Sequence, residues 1–318
     1  ALAIHLCIGM AYGFSVFWLP LSHAYAIAHG GTESIACSPD LNWLEQIIAR
    51  ECDWKISTLG WMYTLFFVYL GSSAAVFGHW LEHAGPRKAG VVAAVCWGGG
   101  LLISAYGVYI HEIRLLWIGS GIIGGCGLGL GYISPVSTLI KWFPDRRGMA
   151  TGMAIMGFGG GAMIGSPLAD ILMRHFQSPT SVGVWETFVT MGVLYFIAMM
   201  CGAFGYRVPP TGWKPAGWEA PHDRGSMITT RHVHLFRAPV TPQFWLLWGV
   251  LCMNVSAGIG VIGMASPMLQ EVFGGRLIDM PGALADLADE DKLKMAAIAA
   301  GFTGLLSLLN ILGRIFWA

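Results

Sequence analysis

The segment "LLSLLNILGRIFWA" (305–318) contains Arg314 as its one charge. A guanidinium in an apolar run is costly unless it meets protein, water or an anion, so such a residue is a candidate binding group by default. Its planar fork holds a carboxylate through two parallel N–H bonds and stays charged at every pH a protein meets. The bland alternative is an arginine near a helix end whose methylene stem lets the head reach the lipid headgroups.

Other stretches imitate chemistry without completing it. In "HWLEH", His79 and His83 lie one helical turn apart and match the H-x-x-E-H pattern of a zinc peptidase class. Catalytic zinc needs a third ligand and an activated water, and no further ligand cluster accompanies the pair, so neither a metal centre nor a hydrolase is expected. The acidic run with Asp286, Asp289, Glu290 and Asp291 lacks the spacing and central glycine of a calcium loop. "GGCGLGLG" and "GFGGGAMIG" resemble phosphate cradles only superficially, because a dinucleotide fingerprint follows a strand and precedes an acidic ribose partner. Without a nucleophile, base or acid pair at one depth, the chain reads as a non-enzyme that needs no cofactor.

The elements that must position Arg314 are membrane helices. Apolar residues make up 55% of the chain and charged residues only 11%, a balance far from that of soluble domains. Eighteen Lys and Arg offset eighteen Asp and Glu, so no bulk charge recruits nucleic acid. Runs long enough to cross a hydrocarbon core of about 30 Å fall near 1–28, 57–80, 90–110, 115–140, 148–174, 184–206, 241–268 and 295–318. Alternating strands of a barrel are missing, so an all-α polytopic membrane protein is expected. An apolar run already at residue 1, without a basic region before it, suggests a chain cut at both ends rather than a signal peptide.

Lys and Arg are densest in the connections 81–90, 141–147 and 207–240, which places those connections and the N-terminus in the cytoplasm and the loops 29–56 and 269–294 outside, as in a multi-pass plasma-membrane protein. Cys37 and Cys52 share the first outer loop, where an oxidising compartment permits a disulfide; sequence alone leaves their pairing open. Two glycine stripes, Gly121, Gly125, Gly129 and Gly157, Gly161, Gly165, recur every fourth residue and predict faces where helix backbones approach closely.

The chain also carries a faint repeat. Gly13 precedes Pro20 by seven residues, Gly260 precedes Pro267 by seven, and each pair leads into a long acidic loop. Between them, 207–240 is polar and rich in proline. The expected organisation is a six-helix half over 1–206, a cytoplasmic linker over 207–240 and an incomplete second half over 241–318.

These residues resemble a known family. "GHWLEHAGPRK" is similar to the G-x-x-x-D-R-x-G-R-K loop of the major facilitator superfamily, with Gly78, Gly85, Arg87 and Lys88 matching; Glu82 replaces the aspartate, His83 the arginine, and Pro86 is extra. "GLGLGYISPVSTLIKWFPDRRGMATGMAIMGFGGG" looks like the oxalate:formate antiporter branch. That resemblance implies a twelve-helix transporter, cut here inside helix 8, that exchanges small mono- and dicarboxylates by alternating access and works as a monomer. Proton-linked monocarboxylate symport is the alternative, and a membrane-embedded sensor or hydrolase a more remote one. The resemblance assigns Arg314 to the substrate carboxylate and sets Tyr12 and Tyr132 on cavity-lining helices 1 and 4. His5, roughly on the face of Tyr12, is expected to tune proton coupling.

Overall fold

The structure, a computed structural model, describes residues 1–31, 34–38, 42, 45, 49–210, 212–218, 233–280 and 282–316. Eight helices in it are long and apolar enough to cross a membrane: α1 (Leu2–Leu21), α2 (Ile56–Ala84), α3 (Pro86–Tyr109), α4 (Ile113–Trp142), α5 (Arg147–Phe176), α6 (Val184–Phe204), α7 (Pro242–Gly263) and α8 (Asp289–Phe316). The described residues contain no sheet, only an isolated bridge between Ser178 and Ser181. The expected linker 207–240 falls partly outside the described residues, which omit 211 and 219–232.

Backbone punctuation sets the helix ends. Gly85 links α2 to α3 with φ +83° and ψ 159°, a region nearly reserved for glycine, and Pro86 then starts α3, where its missing N–H has no helical partner to lose. α4 ends at Trp142, two residues before Pro144, and α5 starts at Arg147.

The seventh apolar run is shorter than expected. Instead of continuing to 268, α7 stops at Gly263, and a separate helix spans Ala265–Phe273. Pro267 has no N–H to offer the Gly263 carbonyl four residues earlier. The Trp18 indole N–H donates to that carbonyl instead, at 2.8 Å.

α1 packs on α4, α5 and α6, α2 on α4, α3 on α4 and α6, and α8 along α5. Between them lies an aromatic core. Phe14 meets Phe17 and Phe66 at 5.3 and 5.1 Å between ring centres, and Phe17 meets Phe188 edge-on at 4.8 Å. In contrast, α7 is almost wholly exposed, with Gly263 its one buried residue.

Both glycine stripes are contact faces. A methyl group on Gly121 or Gly125 would fall 2.9 or 2.8 Å from the side chain of Leu65 or Tyr69, and one on Gly129 would strike Ser73 and Leu70, so this stripe seats α4 on α2. On α5, Gly157 faces Leu2 and His5, Gly161 faces the backbone of Gly9, and Gly165 faces Met10, so the second stripe seats α5 on α1. Carbon has essentially no contacts that short, so both approaches depend on the absent side chain. α4 and α3 meet as closely: Gly119 lies against the Gly100 carbonyl, and the Ser104 and Ser120 hydroxyls share a hydrogen bond of 2.7 Å.

A compact cap closes the end of the bundle where α1 runs out. A disulfide joins Cys37 to Cys52, whose Cα atoms are 4.9 Å apart. The buried Asp53 carboxylate accepts backbone N–H bonds from Tyr25 (2.8 Å), Ala26 (3.3 Å) and Ile35 (2.8 Å), which replace the water it has lost. His111 stacks on Trp54 at 4.1 Å and donates from Nε2 to the Cys52 carbonyl. Below it, Glu112 accepts two bonds from Arg114, at 2.7 and 2.9 Å, and also pairs with Arg50.

Gly161→Val drives a side chain into the Gly9 backbone and should destabilise the detergent-solubilised protein by about 1–3 kcal/mol or more. Gly99→Ala, at an α3 position with open space around it, should leave the thermal midpoint unchanged or slightly raised. For the cap, the hydrogen bonds from Arg114, with desolvation opposing and Arg50 assisting, hold the Glu112 carboxyl down at about 2 against an ordinary 4.5. A depressed carboxyl stabilises the fold above its unfolded pKa and loses that contribution as pH falls through the folded value. Glu112→Gln should therefore flatten the acid dependence of the thermal midpoint between about pH 4.5 and pH 2.

Candidate functional site

Arg314 is half-buried near the end of α8 and lies across α5. Its Nε donates to Asn310 Oδ1 at 2.7 Å, one helical turn earlier on the same face. The reason it can approach α5 is Gly159: a methyl group there would fall 2.5 Å from Asn310 Oδ1 and 3.5 Å from Arg314 Nε. Ser307 reinforces the seam by donating its hydroxyl to the Gly159 carbonyl. A second face of α5 glycines, Gly159 and Gly160, thus serves α8 as the Gly157 stripe serves α1.

The four residues singled out in the sequence come together here. The Tyr12 hydroxyl lies beside the Arg314 guanidinium, within electrostatic reach of both it and Tyr132. The Tyr12 and Tyr132 rings each meet Phe158 edge-on, at 4.8 and 5.2 Å. His5, completely buried, sits 5.6 Å from the Tyr132 ring and within range of the Arg314 charge. The cluster thus draws Arg314 from α8, Tyr132 from α4 and both Tyr12 and His5 from α1, with the Phe158 ring of α5 between the two tyrosines.

His5 has an unusual hydrogen-bonding position. Nδ1 lies 2.5 Å from the Ala154 carbonyl on α5 and Nε2 lies 3.1 Å from the Tyr132 carbonyl on α4. A neutral imidazole has one N–H and can satisfy only one of these acceptors; the imidazolium satisfies both. Its proton is thereby tied to how α1 is fastened to its two neighbours.

Asn310 and Phe158 escaped the sequence reading. Asn310 was detectable, four residues before a lone intramembrane charge and able to accept its hydrogen bond. Phe158 carried no signal among sixteen phenylalanines.

The loop motif lies outside this cluster, where α2 ends and α3 begins. Glu82 pairs with Lys141 at 2.6 Å, Arg87 donates to the Tyr206 carbonyl at 3.1 Å, Lys88 is exposed, and a side chain at Gly78 would meet open space. The His79 and His83 rings meet at 4.4 Å in a tilted arrangement, with His83 Nδ1 donating to the His79 carbonyl. No group of three or more metal-ligating side chains occurs among the described residues. Asp170 and Arg174 pair within α5 at 3.0 Å, and Arg174 also donates to the Leu293 carbonyl at the start of α8.

Eight helices of spanning length, drawn together through glycine faces on α4 and α5, define a multi-pass membrane fold. The chain belongs to the Major Facilitator Superfamily, whose family model matches residues 1–318. It is similar to the apicoplast pyruvate carrier 1 of Toxoplasma gondii, at 28% identity over 99% of this chain and 64% of the carrier. It also resembles an uncharacterized MFS-type transporter, YhjX, of Escherichia coli (24% identity, 71% of this chain, 52% of YhjX) and the oxalate:formate antiporter of Oxalobacter formigenes (24%, 70% and 53%). The chain thus spans between about half and two thirds of the length of these relatives. Among solved structures, a D-xylose-proton symporter shares the fold with a TM-score of 0.51 and 13% identity, over 98% of this chain and 66% of the symporter.

Proposed function

We propose that the chain is part of a secondary transporter of the oxalate:formate antiporter branch, exchanging small mono- and dicarboxylates by alternating access. The observation that carries this reading is the guanidinium of Arg314, fixed by Asn310 and set beside the Tyr12 phenol in the interior of a membrane bundle. A carboxylate there gains a charge-assisted fork from Arg314 and a neutral donor from Tyr12, while Phe158 and Tyr132 pack against its planar face. Binding cancels a buried charge, which lowers the cost of closing apolar surfaces around it. Names among the relatives support the substrate class: a pyruvate carrier, an oxalate:formate antiporter and several monocarboxylate transporters.

In this reading 1–206 forms one half, 207–240 the linker and 241–318 the start of the second half. The protein sits in the plasma membrane as a monomer, with its N-terminus and linker cytoplasmic. The disulfide-bearing cap then faces an oxidising compartment, as such a bond requires.

Arg314→Gln in the full-length protein, reconstituted in proteoliposomes, should slow counterflow of labelled oxalate, formate and pyruvate by at least about thirtyfold. Exchange at the parent rate would remove Arg314 from the site.

Proton-linked monocarboxylate symport is the second reading, favoured by the two carbonyls that share His5. A carboxylate on Arg314 cancels the positive field at His5, so anion and proton binding would assist each other. His5→Gln, which keeps a donor but cannot carry a proton, should then abolish uptake driven by an imposed pH gradient and spare counterflow. If uptake by the parent ignores the gradient, exchange stands alone.

A further inference from the structure

Tyr63 is a buried phenol that neither the sequence nor the cluster above accounts for. It lies two turns into α2, and 8% of its surface is exposed. Its hydroxyl is buried and makes no hydrogen bond. Its ring is clamped between Phe67, edge-on at 5.0 Å, and the backbone of Gly263, where a methyl group would fall 2.7 Å from the ring. The phenol is therefore held rigidly, and its oxygen lies within electrostatic reach of Tyr12.

Leaving a buried hydroxyl unpaired costs more than the average hydrogen bond returns, so packed interiors rarely keep one. A phenylalanine would fill the same volume without that cost. Positions along the helices supply a reason for the oxygen. α1 and α8 pass each other in opposite senses, so His5 and Arg314 lie towards the end where α1 begins. Tyr12 lies halfway along α1, and Tyr63 lies towards the end where α1 finishes and α2 starts. Arg314, Tyr12 and Tyr63 thus form a polar line running from a cation through one phenol to a second, unpaired phenol.

We propose that Tyr63 is a further substrate-positioning residue, whose hydroxyl donates to the second oxygen-bearing group of an anion anchored at Arg314. It would select oxalate-like dicarboxylates and 2-oxo acids over formate, which has nothing to offer at that end. The proposal rests on the carboxylate site proposed above and extends it from charge to length. A donor that meets its acceptor only when ligand is bound contributes discrimination at the expense of apo stability.

The test compares Tyr63→Phe and Arg314→Gln in the full-length protein, reading competition of oxalate, pyruvate and formate in counterflow together with thermal unfolding. Tyr63→Phe should weaken oxalate and pyruvate by about fivefold to tenfold while formate changes by less than about twofold. Its ligand-free midpoint should equal or exceed the parent's, and the rise that oxalate adds should shrink. A lower ligand-free midpoint would mark the hydroxyl as a structural bond and overturn the proposal. Equal losses for all three anions, or none, would overturn it too. Arg314→Gln separates the two levels: if it alone weakens every anion, Tyr63 fails and the carboxylate site survives; if it is silent, the site itself fails.

Discussion

The rest of this structure depends on how closely α5 allows other helices to approach. In lipid there is little hydrophobic reward for bringing two apolar helices together, so association is won from packing and from polar groups that find partners. α5 satisfies this by presenting bare backbone in two directions. Gly157, Gly161 and Gly165 admit α1, and Gly159 and Gly160 admit α8. A side chain on either face would push apart the helix that carries His5 and Tyr12 or the helix that carries Arg314. The glycines hold no ligand, yet the polar groups meet only because of them.

That arrangement also explains how a charged residue is tolerated. Arg314 meets a side-chain oxygen from its own helix, a phenol from α1 and the exposed backbone of α5, so its surroundings are polar although nearly every nearby residue type is not. Asn310 is neutral, and among the described residues no carboxylate pairs with the Arg314 guanidinium. A carboxylate at that position would have tied up the guanidinium; an amide orients it and leaves its charge available.

Much of this was legible in the chain because the signals were local. Each spanning helix announces itself as an apolar run, the glycine stripes keep a four-residue period, and Arg314 stands out as a charge where charges are rare. What stayed hidden was pairing over long separations. The stripes do not say that one faces α2 and the other α1. Pro267 signals a weakness in the seventh run, but whether the helix bends or stops depends on a partner for the released carbonyl, and that partner is Trp18. Phe158 and Tyr63 look like ordinary core aromatics until their neighbours are known. Proximity in space turns them into parts of one cluster.

The bond between Trp18 and Gly263 has a further implication. Because proline has already withdrawn from that carbonyl, α7 gives up nothing of its own helical ladder when the indole arrives or leaves. Apart from this contact and the Tyr63 ring against Gly263, α7 is nearly bare of protein. The attachment between the two segments behaves as a fastener independent of the fabric it joins, because it uses a carbonyl that the α7 ladder leaves free.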